Sequence, residues 1–312
     1  MPGQKERKPA SKDSSKTQKL LSFRIKLTTS RMREHPAHEV MIPHKHGIAS
    51  EPSEWPVYLM LPSSATSSSP VPLLILITGL DGYRTELCVW MEGWRQNGIA
   101  TLVLEIPGTG DSPAIASDPV SPDRQFSSLL DWVADQPYLN SKKTCAWGFS
   151  TGGYYAIRLA HTYHDRLAGC VSQGGGTHHM FDPEWLDASN HLEYPFDLGT
   201  TLSWKYGYDD FELFKKEARG KFSLLEDGTL DKKQCARLLL VNGTEDSIFP
   251  IDDYQVALLK GAVKEARFVD GAPHMGEPDA FFIILNWLYG VFGIKADAVT
   301  QMKTIPFKAK FD

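Results

Sequence analysis

Residues 145–161 read CAWGFSTGGYYAIRLAH, and this stretch decides the fold. The apolar run before Ser150 predicts a strand, and the run after it predicts a helix. Between the two, residues 148–152 form a G-x-S-x-G pattern. In a strand–turn–helix context this pattern builds a sharp turn whose serine oxygen stands above the sheet. On its own the same pentapeptide also suits a plain glycine-rich turn, so its meaning depends on the segments around it.

Apolar runs of similar style recur after residue 71, and helix-like segments separate most of them. The runs are VPLLILITG, GIATLVLEIPG, KTCAWGFS, RLAGCVSQGG, CARLLLVNGTED and EARFVDGAPH. Continuous apolar strands are typical of a parallel sheet buried on both faces. Their alternation with helices predicts a mostly parallel, doubly wound α/β fold. Two earlier runs, HEVMIP and WPVYLMLP, predict antiparallel strands at a sheet edge.

Residues 177–235 interrupt this alternation, because they contain no apolar strand but many aromatic residues. We predict that they form a helical lid insertion between two strands. Ligands bind at the carboxyl ends of the strands in such sheets, so the lid would cover a pocket there. We expect most of its aromatic side chains only to pack it onto the body. Residues 1–19 predict a disordered basic tail, and residues 20–312 then form one domain that carries the lid.

Composition excludes several classes of function. The chain of 312 residues has a net charge of −5, which argues against a nucleic-acid partner. No run of 18 or more apolar residues is present, so we expect no transmembrane segment, and we recognise no secretory signal near the start. The four cysteines show no C-x-x-C spacing, which is typical of reduced, mostly buried thiols. We therefore expect a cytoplasmic protein, with association with vesicles as an open alternative.

A serine hydroxyl becomes a useful nucleophile only when a base removes its proton and a carboxylate orients that base. On α/β sheets with this serine turn, the order along the chain is serine, acid, histidine. The segment LLLVNGTEDSIFP places Asp246 after a predicted strand, with Glu245 as a rival, and FVDGAPHMGEP places His274 after the next strand. We therefore predict a catalytic triad of Ser150, Asp246 and His274. The alternative is that Asp246 caps a helix near Pro250 and that His274 is an ordinary loop residue.

Such a triad also needs backbone N–H groups aimed at the position of the oxyanion. One donor should be the N–H of Thr151. The other should lie in ITGLDGYR after the first buried strand, where Leu80 is our choice and Asp81 the alternative. We expect the loop EIPGTGDS to shape the edge of the pocket. The candidates for contact with a substrate are Asp81, Tyr83, Gln173 and His178.

Four histidines near the first strands raise the question of a metal site; they are His35, His38, His44 and His46. Their spacing matches no common metal-binding motif, so we predict solvent-exposed strand residues and no bound metal. The sequence PGTGDS lacks the G-K-[ST] of a P-loop, so nucleotide binding is set aside. We expect no cofactor.

The motifs GLDGYRTE, EIPGTGDSP, WGFSTGGYYAIRLAH, VNGTEDSIFP and GAPHMGEP together resemble those of the fungal yellowish-green-type polyketide-shortening hydrolases. These are α/β-hydrolases similar to fermentation-respiration-switch-like esterases and to bacterial carbon–carbon hydrolases of nicotine breakdown. The resemblance covers about residues 30–310 and implies an α/β-hydrolase fold. It maps the triad of that family onto Ser150, Asp246 and His274, and its oxyanion loop onto residues 79–82.

The resemblance further implies a serine-dependent hydrolase that cleaves a carbon–carbon bond beside a ketone in a small aromatic polyketide. Family members remove an acetoacetyl-type chain from a heptaketide naphthopyrone and give tetrahydroxynaphthalene for melanin pigment. Two alternatives stay open: a general carboxylesterase or transacylase of secondary metabolism, and a non-catalytic binding protein of this fold. Family members also carry a longer N-terminal helical region that helps to build a dimer. Only about 35 residues precede the hydrolase strands here, so we expect a shortened version and leave a homodimer open.

Overall fold

The computed structural model describes residues 37–192 and 196–305. The predicted tail at residues 1–19 and His35 lie outside these ranges. The described chain forms the strands β1 (His38–Pro43), β2 (Glu54–Met60), β3 (Val71–Ile77), β4 (Ala100–Leu104), β5 (Leu139–Phe149), β6 (Gly169–Gln173), β7 (Arg237–Gly243) and β8 (Glu265–Val269). Its α-helices are α1 (Arg84–Leu87), α2 (Met91–Gln96), α3 (Ser121–Asp135), α4 (Thr151–Thr162), α5 (Pro183–Ser189), α6 (Leu198–Lys205), α7 (Phe211–Phe222), α8 (Asp252–Leu259), α9 (Asp279–Phe292) and α10 (Ala298–Met302).

The strands form one sheet in the order β1-β2-β4-β3-β5-β6-β7-β8. β1 is antiparallel to β2, and β2 is antiparallel to β4. The pairs from β4 through β3 to β8 are all parallel. The predicted sheet, mostly parallel with antiparallel strands at one edge, is confirmed. Because the parallel strands all point the same way, the loops that follow them meet at one edge of the sheet.

The apolar strand β3 shows why the sheet is buried on both faces. Successive side chains of a strand point to opposite faces, so Leu73 and Ile75 enter one core while Leu74 and Leu76 enter the other. Helices α3, α4 and α8 pack over the first face. Helices α2, α9 and α10 pack over the second face. The two layers of helices leave only the ends of the central strands free to carry a site.

Strand β8 departs from the expectation. Its apolar run predicts burial on both faces, but the strand is only partly buried, and Phe268 is 40% exposed. The prediction is wrong because, among the strands that the structure describes, β8 is the last of the sheet and pairs only with β7. The sequence of the strand contains Glu265 and Arg267, which is a composition more typical of a sheet edge.

In its described residues, the lid insertion between β6 and β7 contains a short 3-10 helix, His179–Phe181, and the α-helices α5, α6 and α7. Helix α7 begins at a capped end, because the Asp210 carboxylate accepts hydrogen bonds from the N–H groups of Glu212 and Leu213 at 2.9 and 3.2 Å. The aromatic rings of the insertion pack mainly on one another; Tyr206, Tyr208, Phe214 and Phe222 are all buried. These side chains hold the lid together, whereas we expected most of its aromatic residues to pack the lid onto the body.

His44 corrects the prediction that the histidines near β1 are solvent-exposed. It is buried, with Nδ1 3.0 Å from the Ser128 hydroxyl and Nε2 3.2 Å from the Glu51 carboxylate. The prediction is wrong for this residue because its polar partners come from other segments and compensate its burial. His46 is more exposed and contacts Asp131 at 2.7 Å.

Cysteine and metal chemistry are simple in the described chain. Cys88, Cys145 and Cys170 are buried, Cys235 is partly buried, and all are free thiols. Within residues 37–192 and 196–305, no group of three or more His, Cys, Asp or Glu side chains has an arrangement that could hold a metal ion. None of the helices in these ranges is long and apolar enough to cross a membrane.

Candidate active site

The serine turn lies at the carboxyl end of β5, in the middle of the sheet. β5 ends at Phe149 and α4 begins at Thr151, so Ser150 alone makes the turn. Its backbone has φ 50° and ψ −123°, a conformation that costs a residue with a side chain about 1–3 kcal/mol. A Cβ at Gly148 would lie 2.0 Å from the carbonyl oxygen of Gly152, so only glycine fits there. The G-x-S-x-G pattern is therefore the steric requirement of this strained turn.

A chain of hydrogen bonds joins Ser150 to His274 and Asp246. The Ser150 Oγ lies 2.8 Å from Nε2 of His274, and Nδ1 of the same ring lies 2.9 Å from Oδ2 of Asp246. Ser150 follows β5, Asp246 follows β7 and His274 follows β8, so the three meet where parallel strands end. The structure thus brings together the three side chains that the sequence singles out. With the acid on Nδ1, Nε2 is free to accept a proton from the serine.

The two neighbouring acids lie in different surroundings. The Asp246 side chain is fully buried. Its second oxygen accepts hydrogen bonds from the N–H groups of Ile248 at 2.7 Å and Phe249 at 3.2 Å. Glu245 is exposed, and its backbone N–H donates to the Ala272 carbonyl. The carboxylate that faces the imidazole is therefore the one at position 246.

A buried amide that the sequence analysis missed also contacts this acid. Asn242, near the end of β7, is 1% exposed and donates from Nδ2 to Oδ2 of Asp246 at 2.7 Å. A signal was available in the sequence, because VNGTED places an amide directly after the apolar run LLLV. A polar side chain at the carboxyl end of a buried strand needs partners there. Asp246 supplies one of them.

The loop ITGLDG runs beside the serine. A Cβ at Gly79 would lie 3.3 Å from the Ser150 Cβ and 3.9 Å from its Oγ. The carbonyl oxygen of the next residue, Leu80, accepts a hydrogen bond from the Thr109 hydroxyl at 3.3 Å. Thr151 is the first residue of α4, so its N–H has no acceptor within the helix. The roles of the Leu80 and Thr151 N–H groups as oxyanion donors, and the choice between Leu80 and Asp81, stay predictions.

A buried ion pair ties this loop to the next one. The Arg84 guanidinium lies 3.0 Å from the Glu105 carboxylate and 2.9 Å from that of Asp111. The Arg84 backbone N–H also donates to Glu105 at 3.1 Å. Arg84 and Glu105 are almost fully buried. Since breaking such a pair leaves a buried charge without a partner, the two loops keep a fixed spacing beside Ser150.

The lid reaches the same edge of the sheet. The carbonyl oxygen of Lys205, at the end of α6, would lie 2.1 Å from a Cβ at Gly108, so lid and loop EIPGTGDS are in direct contact. Gly108 has φ +74°, which favours glycine for a second reason. Burial lowers the pKa of Lys205, and the carboxylates of Asp81 and Glu105 oppose this effect. The lid therefore packs directly on the loop that follows β4.

The four residues predicted to touch a substrate lie in different surroundings. Asp81 is exposed and Tyr83 is half-buried, with its pKa raised by burial, so their contacts with a substrate stay predictions. Gln173 is fully buried, and its amide bonds to Trp147 and to the Met275 carbonyl. Both the oxygen and the nitrogen of its amide are hydrogen-bonded to other residues of the protein. Gln173 therefore packs beneath the site and does not line a pocket.

His178 likewise differs from the expectation. It is 3% exposed, with Nδ1 2.6 Å from the Ser223 hydroxyl. Its backbone N–H donates to the Asp253 carboxylate at 2.7 Å. Burial lowers the pKa of the ring. The residue thus joins the end of α7 to α8, a structural link between lid and body that the sequence does not indicate.

Comparison with known proteins gives this site a context. The family described as Esterase FrsA-like matches residues 48–272. Esterase FrsA of Photobacterium profundum is 30% identical over 224 residues, which cover 70% of this chain and 52% of that protein. Esterase FrsA of Vibrio cholerae is 24% identical over 231 residues, covering 71% and 53%. The 2,6-dihydropseudooxynicotine hydrolase of Paenarthrobacter nicotinovorans is 28% identical over 165 residues, covering 52% and 40%. The chain therefore spans about half the length of the FrsA relatives it matches.

Solved structures share the fold over nearly the whole chain. The crystal structure of 2,6-dihydroxy-pseudo-oxynicotine hydrolase matches with a TM-score of 0.69 at 20% identity, covering 91% of this chain and 75% of that one. AbyA5 matches with a TM-score of 0.71 at 17% identity, covering 94% and 81%. These likenesses establish the α/β-hydrolase fold that the sequence predicts. Because the family match extends over most of the residues, the chain belongs to the esterase FrsA-like family of α/β-hydrolases.

Proposed function

We propose that this chain is a serine hydrolase in which Ser150, His274 and Asp246 form the catalytic triad. The observation that carries the proposal is the continuous hydrogen-bonded chain from the serine hydroxyl through the imidazole to a buried carboxylate. The strained backbone at Ser150 supports it, because strain of this kind concentrates at functional sites. The reaction class is acyl transfer from a carbonyl substrate to water.

In the proposed mechanism, Ser150 Oγ attacks the substrate carbonyl carbon while His274 Nε2 takes the hydroxyl proton. Asp246 stabilises the resulting imidazolium through Nδ1. The negative oxygen of the tetrahedral intermediate is bound by the N–H groups of Leu80 and Thr151, each worth about 2.7–4 kcal/mol. No metal or organic cofactor takes part in this proposal.

For the leaving group, we propose that a carbon–carbon bond beside a ketone breaks. Its electron pair stays on the departing carbon as an enolate or phenolate, and the His274 imidazolium returns its proton to that carbon. Water then attacks the acyl-enzyme, His274 accepts a proton from it, and the acid leaves as the Ser150 hydroxyl is restored. The motifs shared with polyketide-shortening hydrolases support this choice. The relative named 2,6-dihydropseudooxynicotine hydrolase supports it as well.

The proposed substrate is an aromatic polyketide, a heptaketide naphthopyrone that loses an acetoacetyl-type chain during synthesis of a melanin-type pigment in a fungus. The experiment incubates purified protein with such a naphthopyrone and follows products by mass spectrometry, with Ser150→Ala as the control. A hydroxynaphthalene that forms only with the unaltered serine supports the proposal. Absence of that product, together with rapid turnover of p-nitrophenyl esters, would reject the carbon–carbon specificity and leave the serine mechanism.

The second candidate is a carboxylesterase or transacylase, and the relatives named Esterase FrsA favour it. The triad serves an ester as well as a ketone, since fold and triad do not choose the bond. A third possibility, a binding protein without turnover, predicts that a fluorophosphonate probe leaves Ser150 unlabelled. Labelling at Ser150 would reject the possibility of a binding protein without turnover. Location in the cytoplasm and formation of a homodimer remain predictions from the sequence.

A further inference from the structure

The residue after His274 has an unusual backbone. Met275 has φ +69° and ψ −6°, the left-handed region that residues with a side chain rarely occupy. Such a conformation persists only where the surroundings hold it. The partners of its peptide groups therefore help to fix the backbone next to His274.

The carbonyl of Met275 is held from the end of β6. Gln173 Nε2 donates to it at 3.2 Å. The orientation of this amide follows from its other partner, because the indole Nε1 of buried Trp147 can only donate and lies 3.0 Å from Gln173 Oε1. The amide nitrogen must then face Met275. Gln173 pairs in register with Phe149, the residue before the serine.

The N–H of Met275 is held from the end of β7. It donates to Asn242 Oδ1 at 2.9 Å, and the N–H of Gly243 donates to the same oxygen at 2.9 Å. Two N–H donors on one atom identify it as the amide oxygen. The amide nitrogen then faces Asp246 Oδ2, at 2.7 Å. Asn242 thus touches both the acid and the histidine loop.

We propose that Gln173 and Asn242 form an amide clamp that fixes the reactive orientation of the triad. This inference rests on the proposed serine-hydrolase function. The clamp holds Met275 from both sides, and Asn242 also shares Asp246 Oδ2 with the imidazole. Both amides are positioning residues, since they act through His274 and Asp246. They are neutral, so they orient the acid without adding charge beside the imidazolium.

Other titratable groups face this cluster and enter its pH behaviour. Glu277, three residues beyond His274, has its pKa raised by burial, an effect that the imidazole opposes. Tyr254 on α8 has its pKa raised by burial and by the neighbouring Asp246 and Asp253 carboxylates. Glu245 is the exposed neighbour of Asp246. These three residues are present in the original protein and in the clamp variants alike. A difference between the pH profiles of the original protein and a variant therefore comes from the replaced amide.

The first test replaces Asn242 with Asp, which keeps the shape and the acceptor for Met275 but puts a second carboxylate oxygen against Asp246. We measure the rate at which a fluorophosphonate labels Ser150 as a function of pH. The added negative charge near the imidazole should move the acid-side midpoint of labelling up by about one pH unit. The plateau rate should fall about 10- to 100-fold, as when one hydrogen bond to a charged group is lost. Asn97→Asp is the matched control, because Asn97 lies before β4, at the amino ends of the parallel strands and so away from Ser150.

The second test replaces Gln173 with Glu, whose ionised form would place a carboxylate oxygen against the Met275 carbonyl. Protonated, this side chain can still donate, so labelling should decline as pH rises and the buried acid ionises. The original protein and Gln301→Glu, a control in the buried amide of α10, should keep their plateaus. Near-UV circular dichroism establishes that each variant is folded.

The outcomes separate the two ideas. Folded Asn242→Asp and Gln173→Glu proteins with the pH profile of the original would overturn the clamp, while labelling of the original protein would leave the serine mechanism standing. An original protein that is not labelled at Ser150 would reject the proposed function and the clamp with it. If Asn242→Asp does not fold, the profile of Gln173→Glu decides alone.

Discussion

The ring of Phe249 lies edge-on to the imidazole of His274, with ring centroids 5.6 Å apart and an angle of 70° between the planes. On its other side, Phe249 contacts Trp185 of the lid helix α5, with a centroid distance of 5.6 Å. Phe249 is 1% exposed, and its N–H donates to Asp246. One aromatic ring therefore touches the base and the lid while its backbone holds the acid.

We expect Phe249→Leu to lower the turnover number for an ester several-fold, because the smaller side chain leaves space beside the imidazole. The free energy of unfolding should fall by about 1–2 kcal/mol. Phe126→Leu is the matched control: it is an equally buried phenylalanine on α3. It should cost similar stability in urea titrations but leave turnover unchanged. Equal loss of turnover in both variants would mean that Phe249 acts through general stability alone.

Substitution of Ser150 should separate chemistry from strain. Ser150→Ala removes the nucleophile, so turnover should fall to background while the fold stays intact. Ser150→Gly is equally inactive but accepts φ 50° without the steric cost of a Cβ. We expect the glycine variant to melt above the alanine variant by an amount equivalent to about 1 kcal/mol. Calorimetry of the two proteins makes the comparison, and a glycine variant that melts lower would contradict the strain at this turn.

The two neighbouring acids should behave very differently. Asp246→Asn should reduce kcat about 100- to 10,000-fold, because an amide no longer selects the reactive tautomer of His274. We still expect a smaller loss than with Ser150→Ala. Glu245→Gln should change kcat little, since the side chain is exposed. Steady-state kinetics on one ester measure kcat for the three variants, Ser150→Ala, Asp246→Asn and Glu245→Gln. A larger loss at 245 than at 246 would show that the wrong acid has been chosen.

Acid stability should depend on Glu51. Burial opposes ionisation of this carboxyl, but hydrogen bonds from Arg124, Ser121 and the N–H of Ile48 outweigh it and lower its pKa to about 2. A pKa below that of the unfolded chain stabilises the fold above about pH 4.5, and this contribution is lost as pH falls toward 2. Glu51→Gln should therefore cost about 2–3 kcal/mol at pH 7, and the difference should shrink below pH 4.5.

Urea unfolding between pH 3 and pH 7 measures this difference. Exposed Glu54→Gln is the control and should show no such trend. A difference at Glu51 that stays constant with pH would mean that its loss acts through packing and not through charge.

The sequence predicted the sheet and the three residues of the hydrogen-bonded chain for one reason. Each of Ser150, Asp246 and His274 follows an apolar run, and parallel strands bring the ends of such runs together. The glycines on either side of Ser150 predicted the tight turn because their steric role is local.

Contacts between side chains from distant segments could not be predicted from the apolar runs of the sequence. His44 is buried because Ser128, from α3, and Glu51 face it. Phe249 meets Trp185 only through the packing of the lid. Gln173 looks from the sequence like a polar group at the edge of a pocket, and only Trp147 shows that its amide is occupied. Alternation of apolar residues carries no information about such partners.

The loop that carries His274 follows β8, which is half-exposed and, within residues 37–192 and 196–305, has a neighbouring strand on one side only. Segments of this kind detach at lower free energy than the centre of a sheet. On heating, the proposed hydrolase activity should therefore be lost some degrees before the near-UV spectrum changes, and amide hydrogens of β8 should exchange before those of β5. Resistance to heat inactivation would then be governed by the five residues of this strand. Anyone seeking a longer-lived catalyst should begin there rather than in the well-packed interior.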